Sequence, residues 1–173
     1  MKRCPKVVDV ARRRFLTGAG YAAAGTVAVR LTLERSDAAT GAARLLYPSH
    51  RLASLQDLRL NEPFEVSYPD NDAPGVLIKL GAPVKGGVGP DSDVVGFSTL
   101  CPHQGMPLAY RAADHTLSCP EHYSRFDCDA GGQQIWGHAT QNLPQYVLRI
   151  DDAGNIFAEG IDELLYGRLS NVL

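Results

Sequence analysis

Two cysteine–histidine pairs constrain this chain more than any other feature: Cys101-Pro102-His103, then fifteen residues, then Cys119-Pro120-Glu121-His122. Each pair brings one thiolate and one imidazole close together. Both pairs directly follow strand-like runs, Thr99-Leu100 and Thr116-Leu117-Ser118, so both are expected at loop tips. A rigid sheet can hold such tips fixed and near the surface, where metal and binding sites concentrate. The rest of the chain after residue 43 reads as short strands over 63–68, 76–80, 94–99, 145–150 and 155–158. Turn signals separate them, among them Asn71-Asp72-Ala73-Pro74-Gly75, Asp129-Ala130-Gly131-Gly132 and Asp151-Asp152-Ala153-Gly154. The expectation is an all-β domain over 43–173 whose last two strands form a hairpin.

Four donors arranged as two mixed pairs suit a cluster of two irons and two bridging sulfides. If each loop gives its Cys to one iron and its His to the other, the loops clamp the cluster from opposite sides. Two neutral imidazoles in place of two thiolates make such a cluster less negative. Its potential then lies at roughly -150 to +300 mV, against about -400 mV for plant-type all-Cys ferredoxins. A structural zinc site is the competing reading, since two thiolates and two imidazoles also suit tetrahedral zinc. Zinc sites usually pair like ligands, whereas Cys and His alternate here, and the first pair has a single intervening residue. A nucleophilic cysteine activated by a neighbouring histidine is a further alternative. It leaves the duplicated pairing unexplained.

Composition narrows the partners. With 17 Lys and Arg against 19 Asp and Glu, the net charge is -2. The basic residues beyond the N-terminus are scattered, so no stripe follows a phosphate backbone and nucleic acid is not an expected partner. The run Arg12-Arg13-Arg14-Phe15-Leu16, followed by a Gly- and Ala-rich stretch, resembles a twin-arginine export signal. Residues 1–42 are therefore expected to be an export signal and linker. The weakly apolar stretch Thr17 to Val29 is shorter than the roughly 20 residues a membrane span takes, so no permanent span is expected. That pathway exports folded chains, which suits a cofactor inserted before export and a periplasmic destination.

Of the four cysteines, Cys4 falls in the signal region and Cys128 stands alone between Asp127 and Asp129, so Cys128 is expected to be an unligated thiol. His50 and His115 are expected to be surface groups in polar segments. His138, just past Trp136, lies where a third loop could approach the cluster.

The motifs Cys101-Pro102-His103-Gln104-Gly105-Met106 and Cys119-Pro120-Glu121-His122-Tyr123-Ser124-Arg125-Phe126-Asp127 resemble those of the Rieske fold family. With the twin-arginine signal and the ending Leu165-Tyr166-Gly167-Arg168-Leu169-Ser170-Asn171-Val172, the chain more narrowly resembles the small subunit of bacterial arsenite oxidase. The resemblance implies an antiparallel β-sandwich with a small cluster-binding subdomain, and one 2Fe-2S cluster on Cys101, His103, Cys119 and His122. It also implies a heterodimer with a large molybdopterin subunit that holds the catalytic centre. Electrons would then pass one at a time to a periplasmic cytochrome c or blue-copper protein. In the Rieske subunits of cytochrome bc complexes, which this chain also resembles, two further cysteines link the ligand loops. Met106 and Glu121 occupy those positions here, so that cross-link cannot form. The same relatives imply that Ser124 donates a hydrogen bond to a bridging sulfide. They carry a Tyr where this chain has Phe126, so one hydrogen bond to a ligand sulfur is absent. A quinol-oxidising subunit of the bc kind is the alternative function. A ferredoxin of a ring-hydroxylating oxygenase is further away, because the export signal argues against a cytoplasmic carrier.

Overall fold

The computed structural model describes residues 47–172, and the expected export signal and linker lie outside them. In chain order the strands are β1 (His50–Ser54), β2 (Pro63–Ser67), β3 (Pro74–Lys79), β4 (Val94–Ser98), β5 (Ala109–Arg111), β6 (Thr116–Ser118), β7 (Arg125–Asp127), β8 (Gln133–Trp136), β9 (Tyr146–Ile150) and β10 (Asn155–Ile161). They form three antiparallel sheets, ordered β1-β10-β9, β2-β3-β4 and β5-β6-β7-β8. Among the described residues the helical content is one 3-10 turn, Leu55–Asp57, and no helix is long and apolar enough to cross a membrane.

The burial pattern explains the layering. In β9, Tyr146 and Leu148 are buried while Val147 and Arg149 are exposed, the alternation of a strand covered on one face. In β3 the run Gly75-Val76-Leu77-Ile78 is buried throughout, as is all of β4, so this middle sheet is covered on both sides. Leu77 and Val94 face one core, with Tyr146, Leu148, Ile156 and Ala158 of the first sheet. Val76, Ile78, Val95 and Phe97 face a second core, shared with Leu117, Phe126 and Cys128 of the third sheet. Burying each such side chain contributes about 1.5–3 kcal/mol. The two cores therefore fix the third sheet against the middle one, and that sheet carries the metal-ligand candidates.

The expected hairpin joins β9 to β10, with Ile150 opposite Ile156. The Asp151 side chain accepts the Ala153 and Asn155 amides at 3.0 and 2.8 Å, and Gly154 takes the left-handed conformation at φ +81. Beyond β10 the chain folds back as an arm without helix. Leu165 is buried, Arg168 makes a two-pronged ion pair with Asp70 at 2.5 and 2.8 Å, and buried Asn171 bonds the Leu165 amide, the Glu163 carbonyl and the Tyr47 hydroxyl. His50, expected in a polar loop, instead opens β1, exposed and edge-on to Tyr68.

Candidate metal centre

The two ligand loops are the same turn built twice. In the loop between β4 and β5, the Cys101 amide donates to the Met106 carbonyl at 2.8 Å, and the Gly105 amide donates back to the Cys101 carbonyl at 2.7 Å. In the loop between β6 and β7, the Cys119 amide donates to the Ser124 carbonyl at 2.8 Å, and the Tyr123 amide donates back to the Cys119 carbonyl at 3.1 Å. The residue that closes each turn is left-handed: Gly105 at φ +72 and Tyr123 at φ +59. Glycine meets this requirement without cost, and it is needed at 105 for a second reason. A Cβ there would lie 2.3 Å from the ring of Tyr166, which the C-terminal arm lays across the loop. Tyr123 meets it with a side chain that is 71% exposed and free of such a clash.

These turns bring the four expected ligands together and sort them by type. Cys101 and Cys119 are buried, unoxidised thiols close enough to interact, and the rings of His103 and His122 stand edge to face with centroids 4.9 Å apart. Burial pushes the Cys101 thiol's pKa up, while the His103 and Gln104 amides that point at its sulfur pull it down and the neighbouring Cys119 raises it again. The Nδ1 atoms of both His103 and His122 are shut off from water and have no hydrogen-bond partner. Buried polar atoms are nearly always satisfied, so two orphaned imidazole nitrogens side by side call for an electrophilic partner. Among the described residues no three His, Cys, Asp or Glu converge in the way a single ion needs. A thiol pair beside an imidazole pair, each drawing one member from each loop, fits two adjacent irons, one held by both histidines and the other by both cysteines.

A third loop, between β8 and β9, completes the site. The ring of His138 is exposed and stacked over His103 at 5.8 Å and 24°, with His122 edge-on at 6.3 Å. The adjoining amides of His138 and Ala139 donate to the Ser124 hydroxyl oxygen at 3.1 and 3.0 Å. Ser124 is fully buried. Gly137 is essential to this contact, because a Cβ on it would lie 2.4 Å from the Ser124 Cα.

The other expected residues are placed as follows. Phe126 is fully buried in β7 opposite Leu117, in the core that also holds Cys101 and Cys119. Met106 packs on that core and Glu121 is exposed. Cys128 is a core thiol pushed up to about 12 by burial and by Asp129 and Asp127, with no histidine beside it in sequence. His115 is left-handed at φ +48 and pairs with Asp129 at 3.0 Å. Sequence reasoning missed Gly137, whose role is to let backbone approach backbone, and Tyr166, whose signal was only its place in the C-terminal motif. It also missed a recess of about 600 Å3 beside Cys119, rimmed by Arg111, Tyr123, Arg125 and Trp136.

A model of the Rieske [2Fe-2S] domain matches residues 49–147, more than half of the chain. The chain belongs to the Rieske family. It carries one Rieske-type 2Fe-2S cluster, the group the orphaned nitrogens and paired thiols fit. Among relatives of this Rieske protein, the iodate reductase subunit IdrB of Denitromonas iodatirespirans is 39% identical over 165 residues, 94% of this chain and 86% of that protein. The iodate reductase subunit IdrB of Pseudomonas sp. (strain SCT) is 40% identical over 124 residues, 70% of this chain and 64% of that protein. The soluble domain of the Rieske protein II (soxF) from Sulfolobus acidocaldarius shares the fold, with a TM-score of 0.64 at 23% identity over 71% of this chain and 82% of that one.

Proposed function

We propose that Cys101, His103, Cys119 and His122 hold the cluster, and that this chain is the electron-relay subunit of a periplasmic oxidoreductase whose catalytic centre sits in a larger molybdopterin chain. The substrate is a small oxyanion, and iodate reduction is the favoured reaction. The observation that carries this reading is a 39% identity to an iodate reductase subunit that runs through 94% of the chain, well beyond the cluster motifs alone. The cluster supplies a one-electron site. The chain's own residues keep that site at the tip of two hydrogen-bonded turns, with imidazoles that are only partly buried, so a redox partner can come close. Exposed Tyr123 and Trp136 beside Cys119 add apolar surface of the kind that marks contact with another protein.

In iodate reduction, single electrons enter this chain from a c-type cytochrome or blue-copper protein and leave towards the large chain. Arsenite oxidation is the second reading, suggested by the resemblance carried by the ending Leu165 to Val172, and it runs the same relay in the opposite direction. The test is purification of the native complex, with metal analysis and two assays: iodate consumption driven by a reduced viologen, and arsenite-driven reduction of cytochrome c. A molybdenum-containing heterodimer that consumes iodate is expected. A heterodimer active only with arsenite reverses the direction of flow, and a chain found only as a free monomer refutes the subunit reading.

A further inference from the structure

The Ser124 hydroxyl is fully buried and has a single proton and two acceptor lone pairs. The His138 amide at 3.1 Å and the Ala139 amide at 3.0 Å take both lone pairs. The proton must then point away from the third loop, and among the described residues no oxygen accepts it. Ser124 is also tied by its carbonyl to the Cys119 amide at 2.8 Å, two residues past His122, so this hydroxyl belongs to the frame of the second ligand loop. A buried O–H without a protein acceptor, in the same loop as the orphaned imidazole nitrogen of His122, needs a partner from the cluster itself.

We infer that the His138 and Ala139 amides, brought against Ser124 by Gly137, are positioning groups that raise the cluster's reduction potential through the Ser124 hydroxyl. The inference rests on the ligand assignment proposed above. Two N–H groups donating into one oxygen polarise its O–H and make it a stronger donor, and they also stop it rotating. A hydrogen bond to a cluster sulfide strengthens when an electron is added, because the sulfide becomes more negative. The reduced state therefore gains more than the oxidised state. Gly137 is the residue that makes the arrangement possible: it sits at φ +92, and a Cβ there would lie 2.4, 2.5 and 2.8 Å from the Ser124 Cα, Ser124 N and Tyr123 C atoms. Outer groups that orient the inner ones commonly tune a metal site in this way.

His138 separates the amide from its side chain, because the exposed ring lies over His103 while the amide lies on Ser124. His138→Ala removes the ring and keeps the N–H, whereas His138→Pro removes both. The full chain with its cluster loaded is compared in these two variants, each with Ser124 present and with Ser124→Ala, by protein-film voltammetry with EPR to verify the cluster. The expected result is a lower potential in His138→Pro than in His138→Ala, equal to a loss of about threefold to tenfold in the reduction equilibrium, tenfold being 59 mV for one electron. The difference should vanish in the Ser124→Ala background. Equal potentials with intact EPR spectra overturn the inference, and so does a difference that persists without the hydroxyl. If His138→Pro fails to hold the cluster, Gly137→Ala replaces it: both N–H groups remain but are pushed off Ser124, and the potential should fall only when Ser124 is present. A wild-type protein without a Rieske EPR signal sinks the ligand assignment, and this inference with it.

Discussion

Replacing Ser124 with alanine should change two quantities that report on different sides of the same oxygen. On the cluster side, the variant loses a hydrogen bond to an anionic sulfide, worth about 1.5–3 kcal/mol in total. If about 1–2 kcal/mol of that is specific to the reduced state, the midpoint potential falls by about 40–90 mV, since 1.4 kcal/mol is tenfold and tenfold is 59 mV for one electron. On the protein side, the amides of His138 and Ala139 lose their acceptor. Ala139 is buried, and an unsatisfied buried donor costs about 1–3 kcal/mol, whereas exposed His138 can turn its amide to water. Thermal unfolding of the loaded protein should therefore shift down along with the potential. Protein-film voltammetry and a melting curve on the same preparation check both, with EPR verifying that the cluster is present. A potential within about 10 mV of wild type, together with a lowered melting temperature, would refute the placement of the proton while leaving the amide contacts intact.

Cys119→Ala and His103→Ala should each abolish the Rieske EPR signal and the bound iron, because either change opens one iron and leaves the opposite loop unclamped; full iron content in either variant contradicts the ligand assignment. Phe126→Tyr should raise the potential by about 40 mV if its hydroxyl reaches a ligand sulfur, on the same conversion; an unchanged potential in a folded, loaded variant places the ring elsewhere. Gly105→Ala should destabilise the fold by about 1–2 kcal/mol, because φ is +72 and the new Cβ meets the Tyr166 ring, and Tyr166→Ala should recover the steric part but not the backbone part in chemical denaturation. Asp70→Asn should loosen the C-terminal arm by removing its ion pair with Arg168. The hydrogen bond from Arg168 holds the Asp70 carboxyl below its ordinary range, so the pair's stabilisation is present above the unfolded pKa near 4 and lost as pH falls through the lower folded value. The gap in melting temperature between wild type and variant should accordingly close in acid below about pH 4, and a gap that grows there contradicts it.

The four candidate ligands stood out in the sequence because Cys and His at these spacings leave few other chemical explanations. The five strands read from the sequence are β2, β3, β4, β9 and β10 of the two three-stranded sheets, whose sixth strand, β1, reads as a polar loop; runs such as Val76-Leu77-Ile78 and Val94–Ser98 are long enough to carry a burial signal. Strands β5, β7 and β8 were not legible. They have three or four residues and mostly exposed or half-buried side chains, so tertiary pairing rather than local pattern makes them strands. The third loop was readable only as a place near the cluster. What it contributes is two backbone N–H groups, which every residue but proline possesses and which no residue type announces.

The absence of a cross-link between the ligand loops makes this division more than a matter of reading. Met106 and Glu121 stand at the two positions where the bc-type resemblance implies a disulfide, so other contacts must hold the tips. Each tip is closed on itself by the same pair of backbone hydrogen bonds, Cys101 with Met106 and Gly105, Cys119 with Ser124 and Tyr123. Each is then braced from outside by a different segment: Tyr166 lies on Gly105, and Gly137 lies on Ser124. Tyr166 is itself held by buried Leu165 on one side and by the Arg168–Asp70 pair and Asn171 beyond it. The C-terminal motif that narrowed the family resemblance is thus the outer brace of the first ligand loop. The second loop's brace is the third loop, whose amides also reach the buried Ser124 hydroxyl that we infer to face the cluster. Loosening the first brace should therefore cost stability with little change in potential, whereas loosening the second should change both, and this contrast distinguishes a scaffold from a tuning device within one small domain.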